Sequence, residues 1–303
     1  MSEKSESKAA LSRLRGRLNQ PFSGRADFLH ACSFVPGRSQ SLSSESPSGD
    51  SKRLLAENFR SLRLLSFNIQ VGITTQSYRH YVTRSWQHLL PSRRRAPALD
   101  SVAQLLREYD IIALQEVDGG SIRSDRTNQV AYLAEHSGHA YWYQQLNRNL
   151  GAVAQHSNGL VSRYEPLHVE PHRLPGFLPG RGCMLGFFGS TRDPLVVVNL
   201  HLALSLPAQV RQLDYLYSII AEYNHIVIMG DMNNSLTTLI AQSKLSKLDL
   251  HALPELAPSF PSWRPSRSLD HVAVSKSLTV ERAGVVNLAI SDHLPVEVVI
   301  SRK

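Results

Sequence analysis

The sequence predicts an α/β fold, on three observations. Apolar runs of strand length recur from Leu62 to the C-terminus. Amphipathic stretches of helical spacing lie between several of them, and the runs end in a restricted set of polar residues.

Taken in order, "LRLLSFNIQVG" reads as a strand run ending at Gly72. "PALDSVAQLLREY" carries Leu99, Val102, Leu105 and Leu106 at helical spacing, with Pro97 near its start. "DIIALQEV" is a second strand, too apolar for an edge. "NQVAYLAEHSG" is a helix closed by Gly138. "GLVSRYEP", "CMLGFFG" and "LVVVNLHLAL" are strand-like, "AQVRQLDYLYSIIAEY" is an amphipathic helix, and "HIVIMGDMN" is the next strand. "LDHVAVS" and "LPVEVVIS" close the chain as strands. No internal repeat interrupts this pattern, so one domain is expected over residues 59–303.

Residues 1–58 read differently. "RSQSLSSESPSGDSK" is rich in serine and poor in aromatics, and so cannot bury enough surface to offset its ordering entropy. A disordered basic arm is expected, in which "KAALSRLRGRL" could form a short helix on an acidic partner. Arg13, Arg15, Arg17 and Arg25 among serines suit a transit peptide, but Glu3 and Glu6 argue against one, and the segment lacks the apolar region of a secretory signal. A cytoplasmic location is expected.

The formal charge of +8 and a pI of about 9.7 favour anionic partners such as nucleic acid, phospholipid headgroups or small phosphates. Two cysteines, Cys32 and Cys183, exclude a disulfide framework and a Cys-based zinc site. No apolar run approaches the roughly 18 residues of a membrane span. Nothing in the sequence sets the oligomeric state.

The polar residues at the strand ends carry the chemistry. Asn68 follows "LLSF", Glu116 follows "IIALQ", and Asn199 and His201 interrupt "LVVVNLHLAL". Asp231 and Asn233 follow "IVIMG", Asp270 and His271 precede "VAVS", and Asp292 and His293 precede "LPVEVVI". Any one of these could be a core side chain satisfied by a hydrogen bond. Together they place an acid, amide or imidazole at every such end, where ligands of α/β sheets bind. Oxygen donors without thiolates suit a hard divalent ion, Mg2+ or else Mn2+. Histidine beside carboxylate suits proton transfer or stabilisation of developing charge. These are the parts of metal-assisted phosphoester hydrolysis.

In order, "SFNIQ", "LQEV", "NLHL", "GDMN", "SLDHVAVS" and "SDHLPV" resemble the motifs of the endonuclease/exonuclease/phosphatase superfamily over about residues 62–300. The resemblance implies a four-layer α-β-β-α sandwich of two packed mixed sheets, with the site at one end. It implies that Glu116 is the principal metal ligand, supported by Asn68, with Asp292 near the metal. Asp231 resembles the residue that orients or activates water, and Asn233 a phosphate-binding partner; alternate side chains of one strand would then face one phosphate. His293 resembles the catalytic histidine and Asp270 the aspartate that fixes its tautomer. His201 is expected to contact phosphate, with Asn199 beside it.

Gln70, where abasic-site endonucleases carry aspartate, and "NLHL", where they carry a Pro-Asn-Gly turn, make the chain more similar to the deoxyribonuclease, sphingomyelinase and phosphatase branches. "HSNGLVSR" resembles the family's Gly-x-Ala-Leu-Ser-Arg strand, which points Asn158 into the cleft, and "LPGRG" offers Arg181 to a phosphate. Arg264 and Arg267 are further basic candidates, read equally well as solvated charges, and "SRRR" at residues 92–95, which could touch a nucleic-acid backbone, reads rather as a solvated loop. Tyr141, Trp142 and Tyr143 read as core rather than as a stacking platform. The expected activity is a phosphodiesterase, by default a nuclease. A lipid phosphodiesterase, a phosphomonoesterase and an inactive phosphate-binding module are the alternatives; the intact polar set argues against the last.

Overall fold

Alternation along β2 (Leu62–Asn68) sets out the architecture. Leu62 and Leu64 face one apolar core, while Leu65 and Phe67 face another. A strand apolar on both faces must be covered on both, and here one face meets a second sheet and the other meets helices.

The computed structural model describes residues 33–38, 54–72, 95–150, 152–176, 180–251, 253 and 256–302. One sheet joins β1 (Ser33–Arg38), β2, β3 (Ile111–Asp118), β4 (Tyr141–Asn149), β5 (Gln155–Ser162), β11 (Thr279–Val285) and β12 (Val296–Ser301), in the order β1-β4-β5-β3-β2-β12-β11. The other joins β6 (His168–Arg173), β7 (Gly182–Gly189), β8 (Pro194–His201), β9 (His225–Asp231) and β10 (Asp270–Val274), in the order β10-β9-β8-β7-β6. Helices α1 (Arg95–Leu106) and α2 (Gln129–Ser137) cover the first sheet. Helices α3 (Leu206–Ile220) and α4 (Leu236–Gln242) cover the second. The four-layer sandwich expected from the sequence is present.

Each sheet holds one parallel pair, β2 with β3 and β8 with β9; the other pairs are antiparallel. The ends of β2, β3, β8 and β9 therefore meet the starts of β5, β10 and β12 at one rim of the sandwich. Just below that rim Asn199 joins the sheets. It accepts from Gln115 Nε2 at 2.8 Å and donates to the carbonyls of Leu114 at 3.1 Å and Gly159 at 2.7 Å.

Several elements differ from the sequence reading. Strands β1, β4, β6 and β11 were not anticipated, nor was α4. β1, β6 and β11 are edges, where one exposed face removes the need for apolar alternation, and Pro36 and Pro171 are tolerated there. β1 lies inside the stretch expected to be a disordered arm and pairs with β4. Leu55, also upstream of residue 59, is buried in the inter-sheet core with Phe59. The rest of that arm up to residue 53, and residues 92–94 of the basic run, lie outside the described residues. Among the described residues no helix is long and apolar enough to cross a membrane.

Asn199→Ala should remove the shortest acceptor of the Gln115 amide, which keeps the Ser66 hydroxyl at 3.2 Å and the Ala113 carbonyl at 3.3 Å, and the amide that donates to two carbonyls between the sheets. A loss of about 2–4 kcal/mol is expected, the scale for several buried polar groups left unpaired. Urea denaturation measures it, and a loss under about 1 kcal/mol would show that the link is dispensable.

Candidate active site

The rim residues are delivered by local devices. Along β9, Val227 and Met229 face the inter-sheet core, and Asp231 follows on the same face. Gly230 has φ 152°, and a Cβ there would lie 1.9 Å from the Leu200 carbonyl oxygen. Only glycine lets β9 approach β8 so closely, in the register that sets Asp231 beside His201. Along β3, strict alternation would turn Glu116 towards the helices. A bulge between Leu114 and Val117, with Glu116 at φ 53°, re-aims it to the rim and leaves Gln115 facing the second sheet.

Asp231 is the centre of the cluster. Its Oδ2 accepts from Asn68 Nδ2 at 3.1 Å, and lies 3.4 Å from His201 Nε2 and 3.8 Å from His293 Nε2. Its Oδ1 accepts from the backbone N–H of Asn233 at 3.0 Å. The expectation that Asn233 continues the strand is corrected here. β9 ends at Asp231, and Asn233 has left-handed backbone (φ 54°) with its side-chain Nδ2 donating to the Leu202 carbonyl at 3.0 Å. A turn, not alternation, brings it to Asp231.

His293 sits in the turn before β12, with Nδ1 at 2.7 Å from Asp270 Oδ2. Ser259 Oγ donates to the same oxygen at 2.6 Å, while Oδ1 of Asp270 is buried without a partner among the described residues. Nδ1 therefore carries a proton directed at Asp270, and Nε2 turns towards Asp231. The Phe260 ring packs at 4.9 Å from the imidazole centroid. Burial opposes charge on His293, but Asp270, Asp231, the hydrogen bond and Asp292 hold its pKa well above the ordinary value. Burial raises Asp231 to about 7, with Asp270 and Glu116 adding to it and His293 opposing. Burial, with Arg181, His293 and His156, keeps His201 well below its ordinary value, so its approach to Asp231 is a polar contact between a neutral ring and a carboxylate.

Glu116, Asn158, Arg181 and His201 line a cleft of about 610 Å3 beside this cluster. Asn158 donates to the Gly182 carbonyl at 3.0 Å. Glu116 has no hydrogen bond or ion pair among the described residues. Asp292 is buried, accepts from Ser291 Oγ at 3.1 Å, and places its charge near His293. The one expected site residue that lies apart is Asn199. It is wholly buried and its amide is spent on joining the sheets, so it supports the site from below and is not positioned to touch a substrate.

Carboxylate oxygens of Asp231 and Asp270 and a His293 nitrogen lie within 4.8 Å of one another, a spacing that could hold a cation. The Asp270–His293 contact is already closed by a proton, however, whereas Glu116 offers a carboxylate with no partner among the described residues. Hard oxygen donors are what the rim supplies, and that fits a divalent metal.

Sequence reasoning missed Ser259, Gln115 and His156. Gln115 stands beside Glu116 in "LQEV", and His156 lies two residues before Asn158 on the same strand face. Either offset could have flagged them. Ser259 gives no sequence signal.

The fold and this rim define a hydrolase of phosphoester bonds. Residues 65–293 match the Endonuclease/Exonuclease/phosphatase family, and the chain belongs to it. Among solved structures, an endonuclease/exonuclease/phosphatase from Beutenbergia cavernae is similar with TM-score 0.62 and 21% identity, over 80% of this chain and 72% of that one. A mannosyl-6-phosphatase from Bacteroides thetaiotaomicron is similar with TM-score 0.56 and 18% identity, over 79% and 99%. TDP2 of D. rerio, complexed with a single-strand DNA product, is similar with TM-score 0.56 and 14% identity, over 80% and 99%. At these identities the likeness is one of fold. No curated protein matches the sequence.

A carboxyl at about 7 in the fold against an ordinary 3.8 contributes stability in full only below the ordinary value, and loses it as pH rises through 7. Asp231→Asn should therefore stabilise the metal-free protein at pH 8 by about 1–3 kcal/mol, with the gain fading towards pH 4. Thermal unfolding across that range checks this; a variant less stable than wild type at pH 8 would contradict the buried-charge assignment.

Proposed function

We propose that the chain is a Mg2+-dependent phosphodiesterase, with nucleic acid as its default substrate, acting by in-line attack of water. The observation that carries this reading is the His293–Asp270 pair aimed at Asp231, next to a glutamate with no partner among the described residues. Glu116, supported by Asn68 and Asp292, would hold Mg2+ (or Mn2+), which when bound polarises a phosphoryl oxygen and offsets its charge.

The chain's own residues supply the rest. Asp231, whose pKa is raised to about 7, orients a water molecule as the carboxylate and takes its proton as the water oxygen bonds to phosphorus and the ester P–O bond on the opposite side breaks, releasing the leaving oxygen. Asn68 fixes the rotamer of Asp231, and Asn233 its other oxygen. Cationic His293 faces the negative charge that grows on the phosphoryl oxygens, and Asp270 keeps that charge on the ring. Neutral His201 and Arg181 are donors to the non-bridging oxygens, and Asn158 lies on the same wall. The resemblance of "NLHL" to the deoxyribonuclease, sphingomyelinase and phosphatase branches, with Gln70 where abasic-site endonucleases carry aspartate, counts against an abasic-site substrate. A catalytic domain over residues 59–303, extended upstream by Leu55 and by β1, and a cytoplasmic location belong to the same reading.

The test is hydrolysis of DNA, RNA, abasic DNA, sphingomyelin and sugar or inositol phosphates with Mg2+, Mn2+ or EDTA. Turnover of a diester that EDTA abolishes is expected; metal-independent turnover would overturn the reading. Glu116→Gln should lower the rate by about a hundredfold or more at saturating Mg2+ with the fold intact, the scale for removing a transition-state charge partner. Wild-type turnover in that variant would remove Glu116 from the metal site.

His293→Ala and Asp270→Asn should each lower the rate by about a hundredfold or more, and the double variant should be little worse than the worse single. Losses that multiply in full would mean that the two groups act independently.

A further inference from the structure

Five arginines elsewhere in the fold have carboxylate partners: Arg63 with Glu108, Arg123 with Asp118, Arg163 with Asp110, Arg282 with Glu297 and Arg302 with Asp193. Those of the cleft do not. Arg148 on β4, Arg181 just before β7 and Arg211 on α3 all line it, and no guanidinium of the three has a hydrogen-bond or ion-pair partner among the described residues. Glu116 is the only carboxylate among the residues of this wall. The histidines add no second acid to balance them. Burial, followed by the charges of Arg123 and Arg148, keeps His156 at about 4, and Arg123 Nη1 lies 3.5 Å from its Nε2.

The three cations come from separate elements that are fixed relative to one another. Gly180, at φ 111°, packs against Arg148, where a Cβ would meet Arg148 Cβ at 3.2 Å. Gln212, next to Arg211, accepts from the Ala203 N–H at 2.9 Å and so ties α3 to the loop after His201. Leu204, 77% exposed on that loop, gives the mouth an apolar lip.

A scissile diester brings a single negative charge, and a divalent ion on Glu116 makes the wall more positive still. The scissile phosphate alone leaves most of this field uncompensated, and unpaired guanidiniums in a concave wall select phosphate by charge and by their planar fork. We propose that the cleft binds a second phosphate group of the same substrate, a terminal phosphomonoester held by Arg148 and Arg211, with Arg181 between it and the scissile phosphate. This rests on the phosphoester hydrolase reading above. Such a group is supplied by a phosphorylated nucleic-acid end or by a small bisphosphorylated polyol.

The full chain with Mg2+ held constant is titrated by calorimetry with methylenediphosphonate, a two-phosphate probe, and with inorganic phosphate. The diphosphonate should bind about tenfold tighter or more, and Arg148→Gln/Arg211→Gln should lose that preference, as expected for charge-assisted contacts. Arg60→Gln, which removes an exposed charge outside the cleft, should retain it. Equal binding of the two probes, or a double variant that keeps the preference with an unchanged melting temperature, overturns the subsite. In parallel, dinucleotides with and without a 5′-phosphate, and hexose bis- and monophosphates, are compared by kcat/KM. The pair showing the preference, which the double variant should abolish, identifies the source. Turnover without any such preference overturns the subsite and leaves the hydrolase reading intact. Diphosphonate selectivity with no turnover of any phosphoester does the reverse.

Discussion

Polar side chains that reach from one sheet to the other fix how the two layers meet. Gln115 of the first sheet holds Asn199 of the second, Asn68 holds Asp231, and His293 holds Asp270. Apolar packing between sheets tolerates small slides, because dispersion is non-directional. Buried hydrogen bonds do not, since a partner lost inside the sandwich costs its full desolvation. The links cluster at the rim, so the rigidity they impose falls where the spacing of catalytic groups matters. Asn199 contributes as a spacer: it holds the floor on which Asp231 and Glu116 stand.

The same rim is electrostatically uncomfortable. Asp231 resists ionisation, His293 is charged in a buried place, and Asp270 keeps one oxygen without a partner among the described residues. A site able to move a proton near neutral pH is built from groups that the fold would rather leave neutral or pair completely. Gly230 and the bulge at Glu116 serve the same end in the backbone, where unusual geometry is accepted to bring two carboxylates to the rim.

Much of this was legible in the sequence, for a physical reason. Strands buried on both faces are continuous apolar runs, and a polar residue inside one needs explaining, which exposed Asn68, Glu116, Asp231 and His293. That signal does not report depth, so Asn199, a link beneath the site, looked like a site residue. The alternation rule misled at Asn233 because it assumes that the strand continues. β4 and the edge strands β1, β6 and β11 escaped because one face of each is exposed or polar. Arg148 and Arg211 escaped for a related reason: a cation in a polar stretch looks the same whether it meets solvent or a ligand, and only its place on the cleft wall in three dimensions sets it apart.

The pairing of β2 with β12 has a consequence for how the enzyme comes into being. Asn68 lies near the beginning of the folded region and His293 near its end, yet they flank the same carboxylate. The carboxylate pair on β9 and β10 can form earlier, but the imidazole arrives only when the final strand docks beside β2. Of the described strands it is the last to be synthesised. The nascent chain thus lacks His293 at the rim until that strand has been made and docks beside β2. Anything that delays docking of that one strand would hold back activity while leaving most of the sandwich assembled.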